Sequence, residues 1–577
     1  MITRRKLLAT AAILTAANAS TVLAQNAAIL SGQDRFHPIV AENGMVAAQE
    51  KVAAQVGVDI LKAGGNAVDA SVAVAFALAV TLPRAGNLGG GGFMIVHDAE
   101  KGDTQAIDYR EMAPKAAFKD MYLDEAGEVV KNRSRFHGLA IGVPGTVAGM
   151  ALALERNGSM TMAQVVAPAI TLARDGIVVT QSLSDGLKSA QERLKRWPQT
   201  AKVFYKPDGG FYEVGDVFKQ PDLAATLQSI SDHGTDGFYK GDVAEKIAAG
   251  VQAADGVITT DDMEAYKSVV RDTSTGTYRG YDIHSMPPPS SGGTHIVQIL
   301  NTLEGYPIGK MGHNSATTIH LMAEAMKQAY ADRATYLGDP DFVDVPVQEL
   351  TDKAYANDIR AKINMGKARP AELVKANVLT PYESNETTHF SVIDRFGNAV
   401  SNTYTINFSF GSGIVADGTG VLMNNEMDDF SAKTGVANAY GLIGGDANAV
   451  EAGKRPLSSM SPTIVMKDGK VFLVTGSPGG SRIITTTLQI LMNVIDHGMN
   501  IAEATYAPRI HHQWLPDELR VEEGISADTK GILRAKGHDV VVKRTMGSTQ
   551  SIMIDGESGV LLGATDPRRP GSSVEGY

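Results

Sequence analysis

Apolar positions in the first part of the chain recur at helical spacing. Val46, Val52, Val56 and Ile60 repeat at near-helical intervals between Gly44 and Gly64, and Gly64 and Gly65 supply a stop, so the pattern predicts a helix there. Asn66 and Asp69 offer caps to a second, almost wholly apolar helix that runs to about Thr81 and is closed by Pro83. That helix is too short for a bilayer and reads as buried core. The stretch NLGGGGFMIVHD (87–98) is a glycine loop feeding a strand. Further helices, each ended by glycine, are predicted over 145–158 and 162–176. The tract SMPPPSSGGTH, beginning at Ser285, marks a rigid turn before a helix from Ile296 to Leu303, and a long helix follows from Asn314 to Gly338. Residues 340–386 read as irregular or weakly helical, and PYESNE (381–386) as an exposed, mobile linker.

After residue 387 the period changes from helical to alternating. Strands dominate to about Gly476, then comes the helix IITTTLQILMNVIDHG (483–498), then more strands to the end. Helices early and strands late predict an α+β fold with one shared core, and so one large domain. In TTHFSVID (387–394), Thr387, His389, Ser391 and Ile393 fall on one face of a strand, and Thr388, Phe390, Val392 and Asp394 on the other. DRFGN then turns the chain, with Gly397 at the left-handed position of a three-residue hairpin loop. A loop of Arg395, Phe396 and Gly397 sets Ile393 opposite Ala399, Ser391 opposite Ser401 and Thr387 opposite Thr405. Two hydroxyls then face each other at the mouth of the hairpin.

The first residues differ in kind. Arg4, Arg5 and Lys6 precede an apolar run from Leu7 to about Ala17 and a small-residue end at Val22-Leu23-Ala24. This is the layout of a signal peptide over residues 1–24, by the general secretory or twin-arginine route, and implies a periplasmic or secreted mature chain with no membrane span. The whole sequence has 577 residues, a net charge of -11 and no cysteine. The acidic balance and the lack of a basic run argue against a nucleic-acid partner. Without cysteine there is no disulfide and no thiolate nucleophile.

A threonine hydroxyl needs a base to act as nucleophile. The chain has no GxSxG elbow and no HExxH zinc motif, and attack by a threonine hydroxyl requires no metal or other cofactor. A cut before Thr387 would supply the base, because its new α-amine titrates near 7.7–8.0. Thr-Thr is also ordinary in strands, so the strand alone leaves both readings open. Other stretches add candidate groups. In TGSPGGSRIIT (475–485), Gly479 and Gly480 put bare backbone amides before a helix, a natural oxyanion site. NNEMDDFS (424–431) gathers carboxylates beside amides, KRPLSSMSPT (454–463) puts Ser458 and Ser459 in a tight turn, and DYREMAP (108–114) sets Arg110 at a strand end. Each also has an ordinary structural explanation. The Gly89–Gly92 run lacks the lysine of a phosphate loop and the spacing of a dinucleotide loop, and reads as close backbone packing.

Together TTHFSVID, TYTINFSFGSGI, NNEMDDFS, YGLIGGDANAV, KRPLSSMSPTIV, TGSPGGSRIITT and PRIHHQWLPDELR resemble the γ-glutamyltransferase (γ-glutamyltranspeptidase) family. NLGGGGFMIVHD, DYREMAP, the PPPSSGG turn and the DPRRPG ending match too, so the resemblance covers essentially the whole mature chain. It implies an N-terminal-nucleophile hydrolase fold, an αββα four-layer sandwich. It also implies self-cleavage between Glu386 and Thr387 into a large subunit (25–386) and a small subunit (387–577) that stay together. Thr387 would be the nucleophile, Thr405 its aid, and the Gly479 and Gly480 amides the oxyanion donors. The substrates would be γ-glutamyl compounds such as glutathione, with water, amino acids or dipeptides as acceptors. Arg110, Ser458 and Ser459 would hold the glutamyl α-carboxylate, and Asn407, Glu426 and Asp429 the α-ammonium. Tyr440 lies in a segment, Lys433 to Gly445, that resembles a lid. Two other readings are a cephalosporin (glutaryl) acylase of the same fold and a non-catalytic periplasmic binder of γ-glutamyl peptides.

Overall fold

The computed structural model describes residues 34–374, 387–433, 435–436 and 444–577. The Glu386 side of the expected cleavage site, Tyr440 and the leader lie outside the described residues.

Two antiparallel seven-stranded sheets pack face to face. In spatial order the first contains Ser573–Gly576, Met45–Ala48, Thr388–Ile393, Ala399–Thr405, Gly91–Asp98, Asp103–Tyr109 and Val269–Asp272. The second contains Ile39–Ala41, Leu561–Thr565, Gln550–Ile554, Lys470–Thr475, Thr463–Lys467, Tyr281–Ser285 and Ser274–Tyr278. Phe93, Ile95, Ile393, Ala399, Ile464, Val474 and Ile552 fill the space between them. On the outer face of the first sheet, Phe390, Val392 and Val400 pack with helices Lys51–Lys62, Ala67–Thr81, Thr146–Asn157 and Met162–Asp175. On the outer face of the second, Val465 and Leu473 pack with Gly292–Glu304, Ala316–Tyr336 and Arg482–Ile495. The result is the expected helix–sheet–sheet–helix stack. Both sheets combine strands from before and after residue 387, so neither segment holds a complete sheet alone.

The hairpin forms in the predicted register, with Thr388 opposite Tyr404 and Ile393 opposite Ala399. Gly397 has φ +87°, and the Asp394 amide donates to the Asn398 carbonyl at 3.1 Å. The face alternation also holds: Ile393 lies between the sheets and Phe390 against helices. The Gly89–Gly92 run is close packing, because a Cβ on Gly90 would come within 2.1 Å of the Thr405 carbonyl oxygen.

The first expected helix starts later than its pattern suggests. Met45–Ala48 is a strand, paired with Thr388–Ile393 on one side and Ser573–Gly576 on the other, and the helix begins at Lys51. The spacing from Val46 to Val52 is near-helical by coincidence, and hydrogen bonding from both neighbours overrides it. Glu50 caps the helix by accepting from the Ala53 amide at 3.0 Å. The second helix keeps its predicted start, with a capping box between Asn66 and Asp69. The part expected to be all strand after residue 498 also contains helices Ile501–Tyr506 and Ala527–Ala535.

Candidate active site

Thr387 stands at the end of the hairpin, where the two sheets open. It is 5% exposed, and its Oγ1 lies 3.5 Å from Thr405 Oγ1. Thr405 is fixed by its surroundings: its Oγ1 accepts from the Asn407 amide at 2.8 Å, and its carbonyl accepts from Asn87 Nδ2 at 2.9 Å. Asn407 adopts a left-handed backbone, φ +70°, and its side chain donates to the Asn425 carbonyl at 2.9 Å. That bond ties the hairpin to the loop carrying Glu426 and Asp429.

The cleft beside Thr387 is lined by Thr405, Asn407, Arg110, Glu426, Asp429, Ser458, Ser459 and Gly480, all of them predicted from sequence. Gly479 is the residue before Gly480. Both have positive φ, +139° and +57°, in the region that favours glycine. Their carbonyls accept from the Arg482 and Ile483 amides and so start helix Arg482–Ile495. The loop is pinned by Ser481, whose Oγ donates to Gln513 Oε1 at 2.7 Å and whose carbonyl accepts from the Tyr330 hydroxyl.

Sequence reasoning missed Arg333, which also lines the cleft. It sits in the last turn of helix Ala316–Tyr336, where a cation normally reads as a partner for the helix dipole. Here the side chain is buried: its Nε donates to Ser291 Oγ at 3.0 Å, and its Nη2 lies 3.5 Å from Ser459 Oγ. The alanines and methionines spread around this helix were the sequence hint that more than one of its faces is buried.

The charges pair in an order the sequence did not predict. Arg110 is wholly buried, with its Nη1 on Glu426 and its Nη2 on Asp429 at 2.5 Å. Glu111 Oε2 stands 3.7 Å from the same guanidinium, and the Arg110 Nε donates to the Pro456 carbonyl at 3.1 Å. The groups assigned to opposite ends of a ligand therefore close on each other. Burial opposes the Arg110 charge, yet Glu426, Asp429 and Glu111 together hold its pKa above the ordinary value. Burial raises Glu426, Asp429 and Glu111, and the Arg110 charge partly offsets this for each. Burial also lowers Arg333, to about 10, against the pull of Asp429.

Glu111 is pushed up to about 7 from an ordinary 4.5. Between those two values the folded state binds more protons than the unfolded chain, so this group's stabilising contribution is complete below about 4.5 and is lost as pH rises toward 7. Glu111→Gln should make the decline in thermal stability from pH 5 to pH 7.5 shallower, with a difference on the order of 1–3 kcal/mol at the upper end. Parallel melting-temperature profiles for variant and wild type would reject that origin.

A family model described as gamma-glutamyltranspeptidase matches residues 53–576. The chain is 57% identical over 545 residues to the glutathione hydrolase proenzyme of Escherichia coli (strain K12), a match covering 94% of each chain. Among solved structures, the cephalosporin acylase of Bacillus halodurans superposes with a TM-score of 0.81 at 30% identity, covering 95% of this chain and 98% of that one. The Helicobacter pylori gamma-glutamyltranspeptidase has a TM-score of 0.56 at 43% identity, over 60% of this chain and 97% of that one. With its threonine pair, glycine loop and paired charges in one cleft, this chain belongs to the gamma-glutamyltranspeptidase family.

Proposed function

We propose that the chain is a precursor that cleaves itself between Glu386 and Thr387 and then acts as a γ-glutamyl transferase and glutathione hydrolase. Scission frees the Thr387 α-amine, whose reference pKa of about 7.7–8.0 suits a general base near neutrality. The amine takes the proton from Thr387 Oγ1, which attacks the γ-carbonyl carbon of the substrate. The Gly479 and Gly480 amides stabilise the oxyanion. Thr405, within 3.5 Å, steadies the attacking hydroxyl. Collapse of the oxyanion breaks the amide C–N bond, the α-ammonium gives its proton to the departing amine, and the γ-glutamyl ester left on Thr387 then passes to water or to the amine of an amino acid or dipeptide.

The observation that carries this reading is the closed pairing of Arg110 with Glu426 and Asp429 beside Thr387. A γ-glutamyl head carries both a carboxylate and an ammonium. Entering between the two sides, it exchanges one pair for two: its carboxylate takes Arg110, helped by Ser458 and Ser459, and its ammonium takes Glu426, Asp429 and Asn407. Buried charge stays balanced throughout. A glutaryl group has no ammonium, so it would separate Arg110 from its carboxylates and leave them buried without a partner, which disfavours it by several kcal/mol. The purified two-chain protein should therefore hydrolyse a γ-glutamyl anilide at least about 10²-fold faster, in kcat/KM, than the matching glutaryl anilide. Equal rates, or a preference for glutaryl, would favour the acylase reading. Binding of γ-glutamyl peptides by a chain that stays uncut would favour the non-catalytic one.

The basic-apolar-small leader supports export to the periplasm or beyond. No helix among the described residues is long and apolar enough to cross a membrane. The resemblance of the segment with Tyr440 to a lid supports a role in favouring transfer over hydrolysis by excluding water.

A further inference from the structure

A second cluster of chemical groups lies in the helical layer behind the second sheet. His320 and Glu324 stand four residues apart on helix Ala316–Tyr336 and so share a face. His538 follows helix Ala527–Ala535 and meets them there. All three are buried, and one ligand atom from each lies within 4.8 Å of the others.

Hydrogen bonding fixes one ring. His320 Nε2 lies 2.8 Å from the Asn364 carbonyl, which can only accept, so that nitrogen carries the proton. In the neutral ring Nδ1 is then a lone pair, and it points at His538 Nε2, 2.8 Å away. A ring nitrogen held by a backbone carbonyl while the other faces a polar cluster is the arrangement of a metal-binding histidine. Glu324 adds an oxygen with unused capacity. Its Oε1 accepts from the Arg369 amide at 3.0 Å and lies 3.4 Å from the Lys327 ammonium, whereas its buried Oε2 accepts no hydrogen bond among the described residues.

We propose that His320 Nδ1, His538 Nε2 and the Glu324 carboxylate bind a zinc ion. Two nitrogens and one carboxylate oxygen suit a tetrahedral zinc with one further position for water. Ligands about 2.05 Å from a tetrahedral ion stand about 3.3 Å apart, so the two rings need to part by roughly half an ångström and the carboxylate oxygen, within 4.8 Å of them, to close in by up to about 1.5 Å. His538 moves its proton from Nε2 to Nδ1 and stays neutral. The surrounding charges set the affinity. Lys327 keeps the Arg369 carbonyl and Asp517, 3.3 Å away, as partners. Asp517 also holds His512 at 3.2 Å. The Lys536 charge acts on His320 from a distance. Arg369, 3.5 Å from Glu324 Oε2 and with its Nε and Nη2 buried, is the competing cation. His320 and Glu324 precede the proposed cleavage point and His538 follows it, so in the two-chain form the ion would bridge the subunits. That consequence depends on cleavage, but the site itself does not.

The test is zinc binding by the full protein, stripped with EDTA, incubated with zinc chloride and gel-filtered. Metal analysis should find about one zinc per protein, with zinc raising the melting temperature. His320→Gln and His538→Gln retain a hydrogen-bonding side chain and should bind at least about tenfold more weakly. Circular dichroism would report that they are folded. Arg369→Gln should bind zinc more tightly than wild type, which decides the matter if a histidine variant misfolds. Loss of zinc from the wild type on gel filtration overturns the site, as does equal retention by both histidine variants. None of these readouts uses γ-glutamyl activity, so they fail or succeed independently of the proposed function.

Discussion

Thr387→Ala should remain a single uncut polypeptide, and its activity on γ-glutamyl amides should fall by at least about 10⁴-fold. The substitution removes two functions at once. It deletes the hydroxyl that attacks the γ-carbonyl, and on the reading that the same hydroxyl also opens the Glu386–Thr387 bond, it prevents the α-amine from ever being released as a base. The fold should survive. Thr387 precedes strand Thr388–Ile393 rather than belonging to its ladder, and its side chain faces the cleft. The near-wild-type control is Thr387→Ser, which keeps both hydroxyl and amine, should still yield two chains on intact mass spectrometry, and should retain measurable turnover. Thr405→Val separates positioning from chemistry: with the 3.5 Å contact and the acceptor for the Asn407 amide gone, kcat should fall further than KM rises. Recovery of two chains from Thr387→Ala, broken between Glu386 and Thr387, would show that the hydroxyl is not the cleaving group and would remove the basis of the mechanism.

Much of this site was legible in the sequence because its parts obey short-range rules. The turn residue Gly397 fixed the hairpin register, and the register alone set Thr387 opposite Thr405. Gly479 and Gly480 were recognisable because two residues without side chains stand just before a helix, and the structure gives both a positive φ. What the sequence hid depends on long-range contact. Met45–Ala48 is a strand because Thr388–Ile393, more than three hundred residues away, pairs with it. Arg333 looked like an ordinary helix-terminal cation until packing turned it inward toward Ser291 and Ser459. The expected grouping set Arg110 with the serines and Glu426 with Asp429 around a γ-glutamyl head, whereas in the structure Arg110 pairs with the two carboxylates, since an unpaired buried charge costs more than the pairing.

Arg110→Gln should cost the protein about 3–5 kcal/mol of stability and raise KM for γ-glutamyl substrates by about 10² to 10³-fold, with a smaller effect on kcat. The stability loss follows from the charge pairing. One guanidinium is shared by the buried Glu426 and Glu111 and by the half-buried Asp429, and Arg333 remains nearby as a counter-charge. Without Arg110 these carboxyls must take up protons or draw in water, so the loss should be largest at alkaline pH and shrink toward pH 5, where protonation relieves the repulsion. The KM effect follows from the exchange: the substrate carboxylate loses its partner, and its ammonium enters a cluster that has already compensated by protonation. Recovery of the variant as two chains would distinguish a binding defect from a folding or processing defect. Arg110→Lys restores the charge but not the two-pronged geometry and should recover more stability than affinity. An Arg110→Gln enzyme with wild-type KM would mean that the α-carboxylate binds elsewhere in the cleft, with Arg333 the remaining cation positioned to take it.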